Sequence, residues 1–256
     1  MIQEFTRPGD GIIFQTPVHE VFWTVIEANG RRPVENPLLL TENGYQIDFE
    51  DFEEKIVRNH VGIYMLCSPH NPVCRVWTKA ELSRLAEICI KHNVLIVSDE
   101  VYSPLVHPGQ TFVPIASLSP EVSAHTITCF SPSKAFSLTG IKDSLVITEN
   151  PAYFQRYEKA LIRMNMNFGA NLFGTVAIQC VLDECDDWLE QQVGYVVETR
   201  RQMEKYLAET MPEIKLMPGQ ATCFGWLDFR ALGMEDKALE EFLIKRATVS
   251  YTHLRA

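Results

Sequence analysis

Residues 126–140 read TITCFSPSKAFSLTG. A strand-like apolar run, Thr126–Phe130, breaks at Ser131-Pro132 and then delivers Lys134 beside the hydroxyls of Ser131 and Ser133. A lysine in a Ser/Pro turn is ordinarily a solvated surface residue, so its meaning depends on the runs around it. Similar stretches recur: Gly11–Gln15 (GIIFQ), Val61–Cys67 (VGIYMLC), Val94–Ser98 (VLIVS) and Ser144–Thr148 (SLVIT). Continuous apolar runs of this length, without polar alternation, predict strands buried on both faces. Between two of them lies a helical pattern, TKAELSRLAEICIKHN. Leu82, Leu85, Ala86, Ile88 and Cys89 share one face, Thr78 and Glu81 make a capping box, and Asn93 marks the end. The fold expected is α/β, a mostly parallel sheet with flanking helices.

Beyond Asn150 the strand signal fades. PAYFQRYEKALIRMNM and the long pattern from Phe173 to Met211 predict helices, the second interrupted in the DECDDW region. CFGWLDFR then predicts a strand and MEDKALEEFLIKRA a helix. We expect a large domain over residues 1–188 and part of a small α+β domain over 189–248. The last residues, VSYTHLRA (249–256), continue neither pattern and resemble translated read-through of a sequencing adapter. With a start almost on a strand, this predicts an internal piece of a longer protein carrying a non-native tail.

Composition narrows the function classes. The 256 residues are 46% hydrophobic and 22% charged, as in a globular protein with a sizeable core. A net charge of −10 argues against nucleic acid or an anionic membrane as main partner. No apolar run approaches the ~20 residues of a membrane span, and MIQEFTRPGDG lacks a signal-peptide core. The seven cysteines show no CxxC pair or zinc spacing, and most fall in apolar runs, which suits a reducing cytoplasm.

Ligands of open parallel sheets bind beyond the carboxyl ends of the strands. The residues just past each predicted strand are therefore candidates: His19 after the first, Asn71 in SPHNP, Asp99 and Tyr102 in DEVY, and Lys134 in SPSK. A lysine, a carboxylate, a phenol, an amide, an imidazole and two hydroxyls suit pyridoxal 5'-phosphate. That cofactor needs an amine for its aldehyde, an acid beside its ring nitrogen and donors for its phosphate.

SPHNP, SDEVY and SPSKAFSLTGIK, in this order, resemble the fold-type I pyridoxal-phosphate enzymes of the class I/II aminotransferase superfamily. QTPVH, CSPHNPVCRVWTKAEL, SPSKAFSLTGIKDSLVI and ATCFGWLDFR resemble more closely its MalY/PatB branch, the cystathionine β-lyase-like C–S lyases. The resemblance runs from Thr6 to Arg246. It implies that Lys134 bonds the cofactor and later takes the substrate α-proton, with burial lowering its pKa. Asp99 would hold the ring nitrogen protonated, and Asn71 and Tyr102 would serve the phenolic oxygen. Ser131, Ser133 and Lys142 would face the phosphate, and His19 would stack on the ring. It also implies a homodimer and a small amino-acid substrate.

Two departures stand out. Relatives commonly read Asn-Pro-Thr-Gly where this chain has Val73 and Cys74, and many carry an arginine at the position of Lys142. The branch implies α,β-elimination from cystathionine or a related cysteine S-conjugate, giving thiol, pyruvate and ammonia. Amino transfer to a 2-keto acid shares the same Lys134 and Asp99 and stays open. So does a non-catalytic aminotransferase-like module of a regulator, against which the intact Lys134 and Asp99 weigh.

Overall fold

The computed structural model describes residues 1–42, 44–167 and 171–246. The chain runs through α1 (Ile2–Phe5), β1 (Gly11–Thr16), α2 (Val21–Ala28), β2 (Arg32–Pro37), β3 (Leu39–Thr41) and β4 (Gly44–Gln46). There follow α3 (Phe49–Arg58), β5 (Val61–Cys67), α4 (Lys79–Lys91), β6 (Leu95–Asp99), α5 (Pro120–Ala124), β7 (Thr126–Phe130) and β8 (Leu145–Ile147). The remainder is α6 (Pro151–Arg163), α7 (Leu172–Glu184), α8 (Asp186–Thr210), β9 (Lys215–Leu216), β10 (Leu227–Asp228) and α9 (Asp236–Lys245).

One six-stranded sheet, in the order β2-β1-β5-β6-β7-β8, organises the first part. Every pairing in it is parallel except β7 with β8. Side chains alternate across such a sheet, so an unbroken apolar run feeds two cores at once. Ile13, Tyr64, Leu66 and Ile96 pack on one face with Phe52 and Ile56 of α3 and Leu82, Leu85 and Cys89 of α4. Ile12, Phe14, Ile63, Leu95 and Val97 pack on the other with Phe22 and Ile26 of α2. Burial of each such side chain contributes about 1.5–3 kcal/mol.

Helix α4 follows its sequence closely. Thr78 Oγ1 accepts from the Glu81 amide and Glu81 answers at the Thr78 amide, the reciprocal pair of a capping box. The five residues assigned to its inner face are all buried. Asn93, at φ +53°, lies in the left-handed region that stops the helix. The interruption expected near DECDDW falls at Cys185, between α7 and α8. Val181 of α7 and Leu189 of α8 pack there against Ala135 and Phe136.

The structure corrects two expectations and adds a strand. β8 is an antiparallel edge with one open face, Leu145 38% and Ile147 52% accessible, while Val146 between them joins the cluster that Tyr153 of α6 also packs against. The strand predicted over CFGWLDFR shrinks to Leu227–Asp228, since Ala221–Phe224 is drawn against the parallel-sheet unit instead. β2 is the opposite edge and reads RPVENP, a run that two prolines disguise; edge strands tolerate proline because half their amides face outward. The domain boundary proposed at residue 188 falls in the first turn of α8. Residues 249–256 lie outside the described residues.

Candidate active site

β1, β5, β6 and β7 run parallel, so their carboxyl ends open on one edge of the sheet. Asp99 is the last residue of β6, in register with Cys67 on one side and Cys129 on the other. Its backbone is held between them: the Ser68 amide donates to the Asp99 carbonyl at 2.9 Å, and the Glu100 amide to Cys129 at 2.9 Å. The carboxylate is partly buried and accepts one bond, from the Val101 amide at 3.2 Å. Burial pushes the Asp99 carboxyl above the usual carboxylate range, while the Val101 N–H and the charges of His19 and Lys134 pull it back. His19 and Lys134 thus both lie within electrostatic reach of Asp99.

Lys134 projects from the loop after β7. The residues behind it are anchored: Ala135 and Phe136 are buried, and Phe136 stacks on Trp188 with centroids 5.4 Å apart. The Phe136 amide bonds Pro132 and the Leu138 amide bonds Ser133, closing a tight turn. Lys134 itself is exposed. The turn spends its apolar residues on α7 and α8 and leaves the lysine at the open mouth of the site.

Ser131 and Ser133 meet in this turn, Oγ to Oγ at 2.9 Å, and Ser131 Oγ also lies 2.8 Å from the Asp143 carbonyl. Both serines border a small recess with Ile141, Asp143 and Gly174. Lys142 sits next in the chain to that recess, exposed, with φ +60°. Asn71 is buried, its amide donating to Cys67 Sγ at 3.4 Å. Tyr102 is 5% exposed, and burial holds its phenol well above the usual range, so it stays a proton donor. His19 is exposed, and its Nδ1 accepts from the Val21 amide at 3.1 Å, capping the start of α2.

Several neighbours escaped the sequence. Phe224 packs edge-on to Tyr102 at 5.5 Å, and Cys223 lies in the electrostatic field of Lys134. They arrive because Thr222 Oγ1 donates to Cys74 Sγ at 3.2 Å and the Gln220 amide bonds the Cys74 carbonyl at 2.8 Å. Cys74 has φ +59°, a backbone that glycine adopts without steric cost, which explains why Cys74 in place of the usual glycine stands out. No local pattern links residues so distant in sequence.

Glu100 was also missed. It is 5% exposed, accepts from Ser98 Oγ at 2.9 Å, and burial lifts its carboxyl to about 7 from 4.5. Between those values the folded protein holds a proton that the unfolded chain has released. Stability therefore falls as pH rises through that window and levels off above it. Glu100→Gln is expected to flatten the slope and to leave the variant more stable at pH 8 by up to roughly 3 kcal/mol. Urea melts of both proteins at pH 5 and pH 8 check this; equal slopes would refute it.

The family model for aminotransferase class I and II matches residues 1–256, and the chain belongs to that family. Cystathionine β-lyase PatB of Bacillus subtilis is 36% identical, aligned over 97% of this chain and 64% of its own length. Protein MalY of Escherichia coli is 26% identical over 98% of this chain and 63% of its own. The structure of cystalysin from Treponema denticola, which contains pyridoxal 5'-phosphate, superimposes with a TM-score of 0.92 at 34% identity. It is matched over 97% of this chain and 63% of its own. The chain thus spans less than two thirds of the length of these relatives.

Proposed function

We propose that the protein is a pyridoxal-phosphate-dependent C–S β-lyase acting on cystathionine or a related cysteine S-conjugate. The observation that carries this is the 36% identity to a cystathionine β-lyase, taken with the gathering of Lys134, Asp99, Asn71 and Tyr102 at one sheet edge. The residues fit the cofactor. Asp99 is a partly buried carboxylate with no lysine or arginine within ion-pair distance among the described residues, and burial disfavours its charge. A protonated ring nitrogen would supply the missing cation.

When bound, the cofactor supplies the sink for electrons released at the substrate α-carbon. Lys134 would hold the cofactor at its aldehyde carbon, and its amine would serve as the base for the substrate α-proton. Asp99 would keep the ring nitrogen protonated. Tyr102, held protonated by burial, would donate with Asn71 to the phenolic oxygen. Ser131, Ser133 and Lys142 would take the phosphate, and His19 would serve the ring face. Lys142 contributes charge without the fork of an arginine, so its hold is the less directional.

The division into a large unit over residues 1–188 and a smaller one over 189–248 belongs to this reading. So does a homodimer: Leu172, Phe173, Val176 and Tyr195, at 59–80% accessible, make an apolar face on α7 and α8 suited to a second copy. Sedimentation of the protein should give a dimer, and Phe173→Glu a monomer; a wild-type monomer at micromolar concentration would remove this part. Free cysteines and an acidic surface suit a reducing cytoplasm. No helix is long and apolar enough to cross a membrane among the described residues.

The decisive experiment supplies cystathionine without a keto acid and measures pyruvate and free thiol. Both should form in equal amounts. No pyruvate, with brisk amino transfer once a keto acid is added, would make the enzyme an aminotransferase, the second reading its family supports.

A further inference from the structure

His70 stands between the two cis-proline peptides of the SPHNP turn and is fully buried. Its backbone is pinned at both ends. The His70 amide donates to Arg75 at 2.8 Å, and its carbonyl accepts from the Cys74 amide at 2.8 Å. The ring packs edge-on to Trp77 at 5.4 Å, and the indole N–H of Trp77 donates to the Cys67 carbonyl at 3.0 Å. Held this way, the imidazole Nε2 reaches the carbonyl of Pro17 at 2.9 Å, in the loop after β1.

A carbonyl only accepts, so the proton of this bond resides on Nε2. The other nitrogen, Nδ1, is buried and makes no well-formed hydrogen bond among the described residues, with the Cys67 backbone its polar neighbour. Burial, aided by the charge of Arg75, holds the imidazole down to about 4, so the ring is neutral and keeps this tautomer at neutral pH. The bond joins two loops that share no backbone ladder at this point. One carries Asn71, the next residue; the other carries His19, two residues beyond Pro17.

We propose that His70 is a positioning residue, a buried clamp that sets the spacing between the Asn71 loop and the His19 loop and so shapes the slot for the cofactor ring. The role of the slot rests on the function proposed above, whereas the clamp itself is a property of the free protein. Loss of the bond leaves the Pro17 carbonyl unpaired in a partly buried place and frees the two loops to move apart.

The test compares His70→Leu, which removes the donor, with His70→Gln, whose amide can occupy the Nε2 position. Hydrogen exchange without cofactor should rise about tenfold at residues 18–21 and 68–74 in the leucine variant. It should stay near wild type in β6 and throughout the glutamine variant. The dissociation constant for pyridoxal phosphate, read by absorbance titration, should weaken about tenfold in the leucine variant and be rescued by glutamine. Faster exchange confined to 68–74, or spread evenly over the sheet, would overturn the clamp, and so would an unrescued glutamine variant. A wild-type protein that binds no pyridoxal phosphate would instead overturn the cofactor reading, while the exchange measurement still judges the clamp.

Discussion

A Lys134→Ala protein is expected to lose covalent capture of pyridoxal phosphate and to fall about 10⁴-fold in turnover. On the proposed function two jobs would end with one amine: the bond to the cofactor aldehyde and the transfer of the substrate α-proton. The second alone is worth about 10²–10⁴ in rate when a positioned base is removed. The fold should not suffer. Lys134 is exposed, and the turn is held by Phe136 on Trp188 and by the Pro132 and Ser133 carbonyls, none of which the substitution touches. Borohydride treatment with cofactor should leave a stable mass adduct on Lys134 in the wild type and none in the variant. An alanine variant with full activity would end the pyridoxal-phosphate reading.

Asp99→Asn is expected to keep the adduct on Lys134 yet lose about 10²–10³-fold in rate. Asparagine matches the carboxylate in shape but cannot hold a proton on a ring nitrogen. Burial already pushes the folded carboxyl above its ordinary value, so ionised Asp99 weakens the free protein at neutral pH. The asparagine variant should therefore unfold at the same or higher urea concentration while failing in turnover. Catalysis within about threefold of wild type would remove Asp99 from the mechanism.

These predictions draw on residues of two kinds. Lys134, Asp99 and Asn71 were legible as candidates because each comes within four residues of the end of an apolar run, and parallel topology sends such residues to one edge. Helix α4 was legible for a similar reason: its cap, its inner face and its end are all local features. His70, Glu100 and Cys223 were not. A histidine in SPHNP looks like turn chemistry until Pro17 is seen 2.9 Å from its ring. Glu100 looks like half of an acidic pair until the fold shows it 5% exposed and bonded by Ser98 Oγ, whereas Asp99 is only partly buried and bonded by the Val101 amide. β2 was hidden by prolines that only an edge position permits.

The sequence by itself determined the α/β class, which residues fall past the strand ends and the kind of cofactor they suit, because side-chain periodicity and strand termini are encoded within a few neighbouring residues. Only the tertiary structure decided which loops are clamped together, which carboxylates are desolvated, and that Ala221–Phe224 folds back against Cys74 and Tyr102. Those outcomes depend on residues separated by 53 to 150 positions. The free energy of such contacts comes from burial and from hydrogen bonds that exist only once the sheet has brought the loops to the same edge.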